Sequence, residues 1–93
     1  MENVEERIKK LEENQLKIAK EFSKQGVAFY LTLAGMKIAS LGEEKYRAYG
    51  NYMRDSIDKA NKQIGDAKDV GKVMALADKF TDECIEYTES QFK

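Results

Sequence analysis

The positions Val4, Ile8, Leu11, Gln15, Ile18 and Phe22 follow one another at intervals of 4, 3, 4, 3 and 4. All but Gln15 are apolar. This rhythm lines one face of a helix, and it is the seam pattern of helices that pack lengthwise on a neighbour. The faces away from the seam carry Glu5 with Lys9, Glu6 with Lys10 and Glu13 with Lys17. Each pair sets the acid four residues ahead of the base, the order that supports a helix. The chain has 93 residues and no proline, so no residue forces a stop by its missing N–H.

From Gly26 the character changes. The stretch GVAFYLTLAGMKIASLG holds a single charge, Lys37. On a helical wheel at about 100° per residue, Phe29, Leu33 and Met36 continue the seam that begins at Val4. A second stripe, Val27, Leu31, Ala34, Ile38 and Leu41, lies on the opposite side, and Leu16 shares it. A helix that is apolar nearly all round needs cover on both sides. The pattern predicts one neighbour along the long seam and another element on the second stripe. The candidate binding or oligomer face therefore comprises Phe22, Val27, Phe29, Leu31, Leu33, Met36, Ile38 and Leu41. Which stripe meets protein and which meets anything else stays open from the pattern.

Ser40-Leu41-Gly42-Glu43 has the S-x-x-E form of a capping box, which begins helices, and the apolar phase shifts there. A break at Leu41–Glu44 is expected, with unbroken helix from Val4 to Ile64 as the alternative. Beyond it, Tyr46, Tyr49, Met53, Ile57, Ala60 and Ile64 form a new stripe. Gly65 is placed to end this helix in the left-handed conformation, and Asp66 or Asp69 to cap the next. Val70, Val73, Ala77, Phe80, Cys84 and Tyr87 then repeat at 3, 4, 3, 4 and 3, widened by Met74, Leu76, Ile85 and Phe92. The expectation is an all-α fold, a single domain spanning 1–93. It has two or three long amphipathic helices at about 2–41, 43–64 and 69–92, arranged as a hairpin or bundle. A chain this short buries a small core, so completion by homo-oligomerisation is expected.

Little in the sequence points to chemistry. There is no histidine, and Cys84 is the one cysteine, so neither a metal site nor an activated thiol is expected. Cys84 falls on an apolar helix face, where a buried, inert thiol is expected. GDAKDVGK lacks the Ser or Thr of a phosphate-binding loop. Tyr46, Tyr49 and Tyr52 lie among Lys45, Arg47 and Arg54, but Glu43, Glu44, Asp55 and Asp58 dilute the charge. A structural role is expected for these tyrosines, with Tyr46 and Tyr49 in the seam and the Tyr52 hydroxyl in water. With 16 basic and 17 acidic residues, no affinity for nucleic acid is expected. The apolar stretch is too short, at under roughly 20 residues, for a transmembrane span. The charged N-terminus is unlike an export signal, and a lone free cysteine suits a reducing cytoplasm. No enzyme and no cofactor are expected.

Residues 66–92 read DAKDVGKVMALADKFTDECIEYTESQF. This resembles the second conserved stretch of the phasins, bacterial proteins that coat intracellular polyhydroxyalkanoate granules. Ala67-Lys68-Asp69 matches the family's turn. Met74-Ala75-Leu76 and Phe80 match its helix core, and Tyr87 with Gln91 matches the ending. The resemblance implies a cytoplasmic, non-enzymatic protein on a granule surface, attached to a hydrophobic polymer through apolar helix faces. The residues alone also allow a helical adaptor or inhibitor that binds another protein through a coiled-coil-like interface, and a peripheral membrane protein.

Overall fold

Asn3 starts the first helix. Its Oδ1 accepts the Glu6 N–H at 2.8 Å, which satisfies one of the amides that a helix start leaves open. Glu5 and Glu6 place negative charge in the first turn, where the helix dipole favours it. In the computed structural model, which describes residues 3–93, this helix is α1, Val4–Ile38. Glu2, the expected starting position, lies outside the described residues. A single 3₁₀ turn, Ala39–Leu41, continues from α1.

The chain does break where the apolar phase shifts, so the unbroken helix is excluded, but the capping box does not form. Ser40 Oγ turns back and donates to the Lys37 carbonyl at 2.7 Å. Gly42 stands at the start of α2, Glu43–Asp66, with φ at 111° and no side-chain cap. That backbone conformation strains any residue with a Cβ and suits glycine. A glycine therefore makes the corner that the serine was expected to make.

The end of α2 also differs from expectation. Gly65 remains helical, and the helix ends one residue later at Asp66, ahead of Ala67, whose backbone is extended. The end is tied from outside instead. Lys20 Nζ of α1 donates to the Gly65 carbonyl at 2.7 Å, and the Ala67 side chain is buried in the core. Of the two candidate caps it is Asp69 that acts, its Oδ1 accepting the Lys72 N–H at 2.7 Å to begin α3, Val70–Gln91.

The three helices form an up-down-up bundle. Lys20 reaches the end of α2, and Lys45, in its first turn, donates to the Gln91 carbonyl at the end of α3 at 3.0 Å. Each lysine thus meets a helix C-terminus, where open carbonyls and the dipole favour a cation. The core takes Val27, Leu31, Ala34 and Ile38 from α1, Tyr49, Ala60 and Ile64 from α2, and Val73, Leu76, Phe80 and Cys84 from α3. Leu16, Ala19, Tyr52, Met53, Ile57, Ala77 and Tyr87 pack around them. Tyr46 and Val70, expected within the stripes, stand in solvent.

Tyr49 lies where all three helices meet. Its hydroxyl donates to the Leu31 carbonyl of α1 and sits 3.9 Å from Cys84 Sγ of α3. Its ring lies against Gly35. A Cβ added at Gly35 would fall 2.9 Å from one ring carbon and 3.3 Å from the next. Glycine costs a helix interior about 1 kcal/mol relative to alanine. Here it creates the notch that a fully buried ring fills. Gly35→Ala should therefore lower stability by about 1–3 kcal/mol through overpacking, despite alanine's better helix propensity. Urea unfolding followed by circular dichroism measures this. A gain in stability would mean that the ring does not occupy the notch.

Candidate functional site: the uncovered seam of helix 1

The two stripes of α1 have opposite fates. Val27, Leu31 and Ile38 of the candidate face are consumed by the intramolecular core, and Leu41 is half-buried at the corner. Phe22, Phe29, Leu33 and Met36 are exposed. The seam expected to lie against a neighbour is bare along its whole length. Both other helices pack on the second stripe, because the phase change at Gly42 and the turn at Ala67–Asp69 bring them to that one side. Eight apolar side chains, Val4, Ile8, Leu11, Ile18, Phe22, Phe29, Leu33 and Met36, are each between 47% and 71% exposed.

This band follows α1 for its full length, about 50 Å at 1.5 Å per residue, on a molecule whose extents are 61 × 17 × 16 Å. Its first part has no other helix beside it. Every residue from 4 to 15 is exposed, so α1 projects past the bundle by about three turns. Monomeric proteins seldom leave an apolar patch of more than a few hundred Å² uncovered, and a larger one marks a contact site. The flanks of the band change along the helix. Near the N-terminus they carry Glu5, Arg7 and Glu12; further on they carry the small residues Ala19, Gly26 and Ala28. Small flanks leave the large seam residues proud of the surface. Beside Phe22 a shallow groove reaches α3, lined by Gly26, Met74 and Ala77, and Met74 is itself half-exposed.

Among the described residues, shifted titratable groups are found at Cys84, Tyr49, Tyr52 and Lys59. Burial pushes the Cys84 thiol above its ordinary value of 9.0, outweighing the lowering by hydrogen bonding to Tyr49 and Thr88. Burial likewise raises the phenols of Tyr49 and Tyr52. Tyr52 does not have a purely aqueous setting as expected. Its ring stacks on Tyr87 at 4.0 Å between centroids, and its hydroxyl interacts with Ser56. The Lys59 ammonium is raised by its exposed hydrogen bond to Asp55. Among the described residues no group of three His, Cys, Asp or Glu side chains could hold a metal ion. No helix among them is long and apolar enough to cross a membrane.

Acidic groups raised by burial keep their protons in the fold after the unfolded chain has lost its own. Stability is then full below the ordinary thiol value of 9.0 and declines as pH climbs above it, with the phenols adding to the loss from their ordinary 10.0. Native Cys84 should accordingly resist iodoacetamide at pH 9 and react promptly once urea unfolds the chain. Equal rates in both states would contradict the burial of the thiol. The chain matches no family model, no curated protein and no solved structure.

Proposed function

We propose that this protein is a non-enzymatic, surface-active binding protein that attaches through the bare seam of α1, and that its surface is a hydrophobic intracellular polymer of the polyhydroxyalkanoate kind. One observation carries the reading: an exposed band of eight large apolar side chains, interrupted only at Gln15, Gln25 and Thr32, along one side of a rod rich in charge elsewhere. A detachable coat needs this division. Transfer of each large apolar side chain from water contributes roughly 1.5–3 kcal/mol when complete, and the seam offers eight that are partly in water already. Such attachment is non-directional, which suits a polymer with no fixed surface pattern.

The phasin resemblance of residues 66–92 supports the choice of polymer. Its matched positions lie in α3 and the turn before it. Leu76 and Phe80 are core residues, and Tyr87 carries the stack on Tyr52. The matched residues therefore build the support, and α1 supplies the contact. A second reading, a helical adaptor that seats a helix of another protein along the same seam, is favoured by the seven-residue spacing, since a polymer surface does not require it.

Co-sedimentation with polyhydroxybutyrate particles, against lipid vesicles of neutral phospholipid, tests the reading. Binding to the particles should persist at high salt. The pair Phe22→Glu and Phe29→Glu, both on the exposed face, should leave the helical circular dichroism unchanged and reduce binding at least tenfold. Leu31→Glu, on the buried stripe, should instead unfold the bundle, at a cost of about 3 kcal/mol or more. Particle binding that survives loss of both phenylalanines would remove the seam from the account. Absence of binding by the parent chain would remove the polymer and favour the adaptor.

A further inference from the structure

The seam keeps one heptad register from Val4 to Met36. Ile8, Gln15, Phe22, Phe29 and Met36 are seven apart and form one column; Val4, Leu11, Ile18, Gln25 and Thr32 form the other. These are the a and d columns of a lengthwise helix pair. The buried residues of α1, among them Ser23, Val27, Leu31, Ala34 and Ile38, occupy the opposite positions b, c and f. The bundle behind α1 therefore leaves the a and d columns free for a second helix.

We propose that, away from any apolar surface, the seam is closed by a second copy of this chain, with the two α1 helices antiparallel about a two-fold axis between Ile18 and Phe22. The proposal rests on the reading of the seam as the working face and names its partner in water. The match between the columns selects the orientation. Reversing the second helix sets each a position opposite a d position. With the seams in full overlap, Ile18 faces Phe22 of the second copy, Leu11 faces Phe29, Ile8 faces Thr32 and Val4 faces Met36. Each of these layers joins a smaller side chain to a larger one, the arrangement that fills a core evenly. The two glutamines coincide as well: Gln15 faces Gln25, so each amide meets an amide instead of an apolar side chain, while the third polar residue, Thr32, turns its hydroxyl to the Ala28 carbonyl of its own helix. A polar pair inside a seam fixes register.

A parallel pair would place Phe22 on Phe22 and Phe29 on Phe29 of the second copy, with Thr32 on Thr32 and Val4 on Val4. Its layers alternate between crowded and underfilled. In its favour it would gain an ion pair between Arg7 and Glu12, but at an exposed rim, where such pairs contribute little. In the antiparallel pair the two Glu21 carboxylates come near each other at the axis. Each has Lys17 and Lys24 within one turn on its own helix, at the spacings that neutralise it. The antiparallel pair also accounts for the projection of α1. Residues 4–15, which are all exposed in one chain, lie along residues 25–36 of the second copy, the part backed by that copy's own bundle. The small flanks Gly26 and Ala28 let the projecting helix approach closely. With eight half-exposed apolar side chains per copy, the contact reaches the scale of a standard interface, about 800 Å² on each side.

Two measurements test the pair. Light scattering behind size exclusion should give the mass of two chains at micromolar concentration, and the Phe22→Glu, Phe29→Glu variant should give the mass of one. Orientation follows from Gln15→Cys and Gln25→Cys, made in separate chains at exposed positions, with the parent as control for buried Cys84. Antiparallel chains hold equivalent positions about 15 Å apart along the axis, too far for a disulfide. Under mild oxidation neither variant alone should cross-link. A one-to-one mixture should yield a disulfide joining position 15 of one chain to position 25 of the other, identified by mass spectrometry. A parent chain of single mass at every concentration up to about 200 µM overturns the proposal, since that lies well above the range of specific association. A disulfide formed by either variant alone overturns the orientation and with it the pairing of layers. Failure of the pair and failure of the polymer reading are separable. A monomer that loses particle binding on Phe22→Glu, Phe29→Glu keeps the latter, and a mixed disulfide in a chain that ignores particles keeps the former.

Discussion

The contact of Tyr49 with Gly35 fixes the rest of the molecule. The ring can enter α1 only where a helix residue has no Cβ. Its hydroxyl then finds the Leu31 carbonyl, one turn back, which meets the requirement that a buried polar group be hydrogen-bonded. This determines which face of α1 the second helix covers. Once Tyr49 is seated on that face, Val27, Leu31, Ala34 and Ile38 become the core stripe, and Cys84 of α3 closes over the phenol. The face opposite is then left uncovered by α2 and α3. The uncovered seam follows from how the core of these three helices is assembled.

Energetically the two stripes of α1 are alike in composition and unlike in role. Both are built on Leu, Ile and Val, the buried stripe adding Ala34 and the exposed one Phe22, Phe29 and Met36, and either could anchor a bundle. What separates them is the distribution of small residues. Gly35 and Ala34 lie together on the side that receives Tyr49, whereas the exposed seam keeps its largest residues, Phe22, Phe29 and Met36, seven apart. A small residue invites a neighbour's side chain inward, and a large one needs a hole in the partner to enter. The first arrangement suits a helix packed within its own chain. The second suits a contact that can be made and released.

Much of the fold was legible in the sequence and part of the site was not. The 3-and-4 repeat from Val70 to Tyr87 located α3 within a residue or two, and Asp69 was one of the two caps the sequence offered. The break after α1 showed as a phase change. The chemistry of the corner was misread because S-x-x-E looks the same whether Ser40 faces forward to the next helix or back to Lys37, and because Gly42 inside the motif carries no apolar signal. The Gly65 stop failed for a related reason, since Lys20, forty-five residues away, satisfies the carbonyl that a left-handed glycine would otherwise serve. The candidate face mixed residues of both stripes, Val27 with Phe29 and Leu31 with Leu33. Periodicity reports that two faces are apolar, but only long-range packing decides which is spent inside. The notch at Gly35 was the one local clue, and it could be read only with its partner Tyr49 in place.

The central claim is that one face of α1 is inside the fold and the other is free for a partner. Hydroxyl-radical footprinting with mass spectrometry addresses both faces in one experiment, on the chain diluted until monomeric and again on polymer particles or at high concentration. The account predicts strong labelling of Phe22, Phe29 and Met36 in the dilute chain, loss of that labelling in the associated states, and no labelling of Val27, Leu31 and Ile38 in any state. Labelling of Phe22, Phe29 and Met36 that stays constant from dilute chain to particle would contradict it.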